Sequence, residues 1–407
     1  MSEILLARQP IFNNYLNLVA YELLYRNNEA KFSNAVDQNY ASVSVILNAL
    51  SQIGLPKLSG EYPVFINFTR HLVLSAPWSI LPRDKVVIEV LENIEVDETL
   101  IDVLRKAKHF GYQIALDDFE FKEELRPLLD LANIIKLDVM NLSEEQLHQQ
   151  LNILQGYDVE LLAEKVETYE MFDKCKRLGF DYFQGYFLSE PSLVTQSSLK
   201  ENQKTMLEIV GKLHAGMPDL DEIDALLHQE VYLRNKLFKI LNSRFYSLPS
   251  PVSTLQEAIA AVGFDQIKNW ADIIMICSTS NKPVELFSIV IQRAAMCKLL
   301  ATKLNLDGPE TFFTVGLLSA FNALLDVPMT SILSHIQVQP SLKSALLDNE
   351  GPAAKILNLV LAYERGEWEE ANLPPLTSQD LLDAYVESIE WSRNVLGIMG
   401  HPQSTPS

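Results

Sequence analysis

The chain has 407 residues, of which 48% are hydrophobic, and its 33 Lys and Arg against 53 Asp and Glu give a formal net charge of −20. This length favours two or three domains, and the charge argues against non-specific binding to DNA or to an anionic membrane surface. The three cysteines are widely spaced without a C-x-x-C pair, so neither a disulfide framework nor a zinc knuckle is indicated. No signal peptide and no apolar run of about 18 residues is seen, so we expect a cytoplasmic protein that does not enter a membrane.

The first half of the chain alternates short apolar runs with helical segments. Residues 4–25 predict two strands around a turn at Asn13–Asn14, and residues 40–53 predict a helix. Strands and helices then alternate to about residue 190, and Ser143 and Gln146 resemble a capping box at the start of one helix. Alternation of this density predicts a parallel sheet, either closed or open.

The apolar runs of this half end in polar or ionisable side chains. The residues at or just after these ends are Glu22, Asn67, Glu89, Glu92, Asp117, Asp118, Lys136, Asp138, Glu164 and Gln184. In a (β/α) barrel the carboxyl ends of the strands meet at one mouth, where the chemistry of the fold occurs. Several acids placed there would repel one another unless cations neutralised them.

Oxygen ligands of this kind are typical of a Mg²⁺ or Mn²⁺ site. The predicted ligands are Glu22, Asn67, Glu92, Asp117, Asp118 and Glu164. Two metals could activate water for attack on a phosphodiester, and Lys136 could hold that water or a phosphate oxygen.

Each of these residues also has a purely structural interpretation. Asp117 and Asp118 could form a helix N-cap and an exposed acid. Glu164 could pair with the adjacent Lys165, and Lys136 could extend its ammonium to solvent. All of these residues lie at strand ends. This shared position favours a common metal site over a separate structural role for each residue.

The second half has a different character. A polar stretch at residues 190–204 is interpreted as the domain junction, and beyond it we predict an all-α domain. Helices are predicted at 206–214, 221–242, 255–262, 268–276, 284–304, 309–325, 329–336, 341–347, 352–363 and 378–396. The predicted boundaries are therefore a barrel domain at 1–195, a helical domain at 200–393 and a disordered tail at 394–407.

The first part of the chain resembles the EAL domain of bacterial cyclic di-GMP phosphodiesterases. The motifs that carry the resemblance are Gln9-Pro10-Ile11, Glu22-Leu23-Leu24-Tyr25-Arg26 with Leu for the usual Ala, Asn67, Glu92, Asp117-Asp118-Phe119, Lys136-Leu137-Asp138, Ala163-Glu164-Lys165-Val166-Glu167-Thr168 and Gln184-Gly185-Tyr186-Phe187. The resemblance implies an EAL-type (β/α)8-like barrel that uses Mg²⁺ or Mn²⁺.

The same resemblance implies a role for each matched residue. Glu22, Asn67, Glu92, Asp117, Asp118 and Glu164 would be the metal ligands. Lys136 would position the attacking water, Glu164 or Lys136 would assist its deprotonation, and Glu167 would brace the site. Gln9, Arg26 and Gln184 would contact the dinucleotide.

Two departures from the family pattern bear on activity. Active members continue D-D-F-G-x-G-Y-S, a loop that orders the second metal and supports dimerisation, whereas this chain has Glu120 and Lys122 in place of the glycines. The Gly of the A-E-G-V-E motif is Lys165 here. An ammonium at that position could displace a metal or bind phosphate in its place.

Residues 200–390 resemble the HDOD domain, an all-α relative of HD phosphohydrolases. Matching stretches are Gly316-Leu317-Leu318, Asp326-Val327-Pro328-Met329, Gly351-Pro352-Ala353-Ala354 and 361–366. An HD enzyme needs adjacent His and Asp to ligate its metal, and none of the seven histidines is followed by Asp. The resemblance therefore implies a non-catalytic domain that binds a protein partner or regulates the barrel.

Three hypotheses follow for the whole chain. The favoured one is a phosphodiesterase that hydrolyses cyclic di-GMP to linear pGpG. The protein could act as a homodimer. The second is a degenerate EAL domain that binds cyclic di-GMP without cleaving it. The third is a scaffold that binds no nucleotide.

Overall fold

The computed structural model describes residues 4–27, 53–189, 201–214, 220–243, 245–279, 282–336 and 338–400. The helix predicted at 40–53 and the junction predicted at 190–204 lie largely outside these residues. The described part of the chain divides into two compact units. One contains the residues up to Leu188 together with Tyr363–Trp368, and the other contains the remainder.

The first unit is built on a closed barrel in which the strands follow one another in chain order. The strands are β1 (Ile4–Asn13), β2 (Leu18–Asn27), β3 (Val64–Phe68), β4 (Val86–Val90), β5 (Gln113–Leu116), β6 (Ile134–Asp138), β7 (Glu160–Glu164) and β8 (Tyr182–Gln184). β1 runs antiparallel to β2 and β8, and the other neighbouring pairs are parallel. The predicted (β/α)8-like barrel is confirmed, including the turn at Asn13 that separates the first two strands.

A cluster of apolar side chains from successive strands packs in one layer of the barrel. This layer consists of Ile11, Ala20, Phe65, Val87, Ala115, Ile134 and Leu162, all buried. Successive side chains of a strand point to opposite faces, so the residue two positions further on faces the interior again. On β2 to β7 that residue is polar: Glu22, Asn67, Glu89, Asp117, Lys136 and Glu164. The apolar layer therefore places one polar side chain per strand at the barrel mouth.

Short helices connect the strands of the barrel. They are α1 (Leu55–Ser59), α2 (Arg70–Ser75), α3 (Glu98–His109), α4 (Arg126–Leu129), α5 (Glu144–Leu154) and α6 (Tyr169–Arg177). The capping box predicted at Ser143 is present, since its side chain accepts from the amide of Gln146 and the Gln146 side chain accepts from the Ser143 amide.

The described part of the second unit is helical, as predicted. Its helices are α7 (Glu201–Leu213), α8 (Leu220–Gln229), α9 (Val231–Leu241), α10 (Leu255–Val262), α11 (Phe264–Thr279), α12 (Val284–Lys303), α13 (Pro309–Leu318), α14 (Phe321–Leu325), α15 (Met329–His335), α16 (Pro340–Leu347), α17 (Gly351–Glu364) and α18 (Ser378–Met399). No single helix among the described residues is long and apolar enough to cross a membrane, although the bent pair Pro309–Leu325 and Met329–His335 passes by length and composition alone.

Three predicted boundaries in this unit were wrong. The helix predicted at 221–242 breaks at Glu230, whose backbone leaves the helical region (φ −92°, ψ 71°). The helix predicted at 309–325 breaks at Ser319–Ala320. The tail predicted from 394 begins too early, because Val395, Leu396 and Met399 are buried and the helix continues to a left-handed Gly400.

Gly185 permits a close approach of two backbone segments beside the barrel mouth. A Cβ atom at this position would lie 2.0 Å from the carbonyl oxygen of Val166. Since Val166 donates to the Gln184 carbonyl at 3.0 Å, the approach connects β8 to the segment after β7.

We therefore expect Gly185→Ala to lower the free energy of unfolding by about 3 kcal/mol. Urea denaturation followed by circular dichroism measures this. The matched control is Gly156→Ala, where the added Cβ would lie 3.6 Å from the nearest atom and the change should stay below about 1 kcal/mol. Equal effects of the two variants would contradict the close-approach argument.

Candidate active site

A buried lysine lies at the centre of the barrel mouth. Lys136 is 0% exposed, and its Nζ lies 3.1 Å from Glu22 Oε2, 2.9 Å from Asp117 Oδ1 and 2.7 Å from Glu164 Oε1. It also contacts Glu89 Oε1. One ammonium therefore contacts carboxylates from four other strands, and we call these four acids and Lys136 the inner group.

Amide side chains hold the inner group in place. The Gln184 Nε2 donates to Glu22 Oε2 at 2.7 Å and to Gln9 Oε1 at 2.8 Å. The Asn67 Nδ2 donates to the other Glu22 oxygen at 3.1 Å, and the Tyr25 hydroxyl donates to the Asn67 carbonyl at 2.9 Å. Both oxygens of Glu22 are thus fixed, one by a side chain from β8 and the other by a side chain from β3.

The inner group holds more negative charge than its lysine can neutralise. Burial alone would lower the pKa of Lys136, but the charges of Glu164, Glu22, Glu89 and Asp117 together hold it well above its ordinary value. Burial raises the pKa of Glu89 well above its ordinary value, and the charge of Glu22 adds to this rise. Burial likewise raises the pKa of Glu164 to about 8, although Lys136 opposes the shift. The group therefore favours added cations, in the form of protons or metal ions.

A second acidic cluster lies at the outer edge of the mouth. Carboxylate oxygens of Glu92, Asp117 and Asp118 lie within 4.8 Å of one another, and we call these three residues the outer group. Asp118 has a left-handed backbone (φ 40°). A cavity of about 350 Å³ opens beside this group and is also lined by apolar side chains such as Ile94, Leu125 and Leu128.

The donor set fits a divalent metal. Within the described residues, several buried oxygens at the mouth accept no hydrogen bond: Asn67 Oδ1, Glu89 Oε2, Asp118 Oδ1 and Gln184 Oε1. Buried polar atoms are normally satisfied, and carboxylate and amide oxygens are the ligands that Mg²⁺ and Mn²⁺ prefer. Two clusters of possible metal ligands are found among the described residues, and both lie at this mouth. They are the triad Glu22, Glu89 and Glu164, and the outer group.

Glu89 is a site residue that the sequence analysis did not assign. It is fully buried and contacts Lys136, whereas Glu92, to which the ligand role was given, is exposed and lies beyond the end of β4. The strand period gives the missing signal. Val87 faces the barrel interior, so the residue two positions later must face it too.

Two predicted residues lie apart from these clusters. Glu167 is exposed, three residues beyond Glu164, and its bracing role stays a prediction. Arg26 is half-buried on the same face of β2 as Glu22 and four residues beyond it. Its contact with a dinucleotide also stays a prediction, as do the substrate contacts of Gln9 and Gln184.

The loop that replaces the glycine-rich segment is anchored by local contacts. The Phe119 amide donates to the Lys136 carbonyl at 3.0 Å, and the Phe121 amide donates to Gln150 Oε1 at 3.0 Å. The positive φ of this segment belongs to Asp118 and not to Glu120. The loss of glycine at position 120 therefore imposes no left-handed strain here.

Lys165 adds a second cation at the edge of the mouth. It follows Glu164 directly, its backbone is left-handed (φ 54°) and its ammonium contacts Asp138 Oδ2. The same ammonium lies 4.0 Å from Asp118 Oδ1. Asp138 also accepts from the amides of Met140 and Asn141 at 2.9 and 3.0 Å, so its role here is to hold Lys165 and the turn after β6.

Comparison with known proteins gives two family matches in tandem. The model of the EAL domain matches residues 61–191, and that of the HDOD domain matches residues 199–331. The uncharacterized protein YuxH of Bacillus subtilis (strain 168) is 31% identical, over 97% of this chain and 99% of its own length. The cyclic di-GMP phosphodiesterase CdgJ of Vibrio cholerae is 27% identical, over 96% and 92%. Among solved structures, the EAL-domain protein YkuI of Bacillus subtilis, in complex with cyclic di-GMP and calcium, is 20% identical, over 56% of this chain and 72% of its own, with a TM-score of 0.39.

Lys136 is expected to be essential for stability in the absence of metal. Replacing it with Met leaves several acids buried without a cation, so the free energy of unfolding in EDTA should fall by about 3–5 kcal/mol. Urea denaturation with and without Mn²⁺ measures this, and Mn²⁺ should restore part of the loss. The control Lys122→Met removes an exposed lysine and should change little. A Lys136→Met protein as stable as the wild type would contradict the central role of this ammonium.

Glu164 gives an expected pH dependence. Its pKa is about 8 in the folded barrel against an ordinary 4.5, so the folded protein binds more protons than the unfolded chain between these values. The free energy of unfolding without metal should therefore fall as the pH rises from about 5 to about 8. Glu164→Gln should flatten this slope, as measured by urea midpoints in EDTA at several pH values. An unchanged slope would show that Glu164 does not take up the proton.

Proposed function

The chain belongs to the family in which an EAL domain precedes an HDOD domain, and we propose that it is a phosphodiesterase that hydrolyses cyclic di-GMP to linear pGpG. The observation that supports this most is the convergence of Glu22, Asp117 and Glu164 on Lys136 at one mouth, where Asn67 also holds Glu22. The relative CdgJ, which matches over nearly its whole length, carries the name of a cyclic di-GMP phosphodiesterase.

The metal ligands in this proposal are Glu22, Asn67, Glu92, Asp117, Asp118 and Glu164, with Glu89 buried behind them. A bound Mg²⁺ or Mn²⁺ would neutralise charge on the phosphodiester and make an attacking water more acidic. The Oδ1 atom of Asn67, which accepts no hydrogen bond, could accept such an ion.

The protein's own groups then perform the proton and positioning chemistry. Lys136 holds the attacking water or a phosphate oxygen through its ammonium. Glu164, whose Oε1 lies 2.7 Å from the Lys136 ammonium, accepts the proton of that water in its ionised form, which a neighbouring cation would favour. The water oxygen bonds to phosphorus, the bond from phosphorus to a ribose 3′-oxygen breaks, and that oxygen takes up a proton.

The second unit serves as the regulatory part of this proposal. It binds a protein partner whose identity the fold alone does not specify. The protein acts in the cytoplasm, in agreement with three buried cysteines that are not paired in disulfides. Pairing of two copies through the barrel, as the family resemblance implies, belongs to the same proposal.

A second candidate function is a cyclic di-GMP receptor that does not cleave. The observation that favours it is Lys165, which brings an ammonium to within 4.0 Å of Asp118 Oδ1 in place of the family's glycine. A site that could not accept its full metal content would retain nucleotide affinity while losing turnover.

To test the proposal, the purified protein is incubated with cyclic di-GMP and Mg²⁺ or Mn²⁺. The products are then separated by chromatography. We expect linear pGpG, and a loss of about 100-fold or more in rate for Glu22→Gln, since even indirect disturbance of metal ligands costs 10- to 100-fold. Glu145→Gln is the matched control, because it makes the same change at an exposed site on α5.

The alternatives predict other results in the same assay. Binding of cyclic di-GMP by calorimetry without any product would support the receptor. If the protein neither binds cyclic di-GMP nor forms pGpG, the result would support a scaffold that binds no nucleotide. A rate for Glu22→Gln equal to that of the wild type would contradict the assignment of the site.

A further inference from the structure

The acidic mouth carries two ammonium groups at two depths. The inner group surrounds Lys136, whereas Lys165 lies at the edge, half-exposed, beside the outer group. Asp117 belongs to both levels, because its Oδ1 lies 2.9 Å from the Lys136 Nζ and its carboxylate is part of the outer group. The outer group therefore has its own neighbouring cation.

Several contacts direct Lys165 toward the acids. The ammonium contacts Asp138 Oδ2 and lies 4.0 Å from Asp118 Oδ1. Asp138 is itself oriented by three donors: the amides of Met140 and Asn141 and, at 2.6 Å, the Asn141 Nδ2. The Lys165 ammonium is therefore held beside the outer group by a carboxylate whose own orientation is fixed.

The backbone at this position makes the lysine unusual. Lys165 adopts φ 54°, a left-handed conformation that residues with a Cβ rarely adopt and that glycine adopts freely. A long cationic side chain therefore occupies a position where the local backbone favours the residue without one. Its charge acts on Asp118, whose Oδ1 is buried and accepts no hydrogen bond among the described residues.

We propose that Lys165 acts as a tethered cation in place of one divalent metal at the outer group. The resting protein then binds one Mn²⁺ or Mg²⁺ tightly at the mouth and takes a second only weakly, because the ammonium repels it from Asp118. Turnover would depend on the concentration of the second metal. This inference rests on the proposed function, since it concerns the metals of the same site.

Mn²⁺ titration of the full-length protein, by calorimetry and by electron paramagnetic resonance of free Mn²⁺, tests the inference without measuring activity. We expect one tight and one weak site in the wild type. In Lys165→Met the second site should bind about tenfold or more tightly, because a unit charge 4 Å from a ligand is removed. Lys165→Gly, which suits the left-handed backbone, should behave in the same way even if the Met variant folds poorly.

Two controls separate this effect from general electrostatics. Lys165→Arg keeps the charge and should titrate like the wild type. Lys122→Met removes one positive charge from the wall of the neighbouring cavity and should leave the second site weak. Unchanged second-site affinity in both Lys165→Met and Lys165→Gly would overturn the inference, as would an equal gain in Lys122→Met.

The result also distinguishes failure of this inference from failure of the proposed function. A wild type that binds no Mn²⁺ at all would refute both. A wild type that binds two Mn²⁺ tightly, or one whose second site is indifferent to position 165, would refute only the role of Lys165. The phosphodiesterase proposal would then stand on the assay with Glu22→Gln.

Discussion

The ammonium of Lys136 is the interaction on which the barrel mouth depends. It is fully buried and contacts acids from β2, β4, β5 and β7. Removing several carboxylates from water is costly unless opposite charge accompanies them. One positive charge among four acids offsets only part of that cost. The rest is seen in the raised pKa values of Glu89 and Glu164, which show that burial favours their protonated forms. The mouth therefore favours the entry of further cations.

The architecture that makes this arrangement possible is the strand register. An apolar layer from Ile11 to Leu162 closes the barrel below the mouth, and the polar side chains lie one inward-facing position above it. Exclusion of water by that layer strengthens each charge interaction above it. The amide network through Gln184 and Asn67 then holds Glu22 by both oxygens. Stability and chemistry thus share the same few side chains.

Much of this could be predicted from the sequence, because the information is local to each strand. Apolar runs ending in Asn67, Asp117, Lys136 and Glu164 predicted the barrel, the mouth and most of its polar residues. Glu89 was given no role, because the family motif points to Glu92. The alternation of side chains along β4 instead places Glu89 in the interior. Helix breaks at Glu230 and at Ser319–Ala320 were missed for another reason: apolar periodicity continues across them, and tertiary packing decides where the chain bends.

The departures from the family pattern have unequal physical weight. At position 120 the backbone is not left-handed, and the segment is held by hydrogen bonds from Phe119 and Phe121. This loop is therefore held in place without glycine at position 120. At position 165 the change introduces a full charge 4.0 Å from Asp118 Oδ1. A charge near metal ligands alters cation affinity directly, whereas loop composition acts only through geometry. If the proposed ligands bind metal, the number of metals that the mouth admits would distinguish an efficient enzyme from a nucleotide receptor.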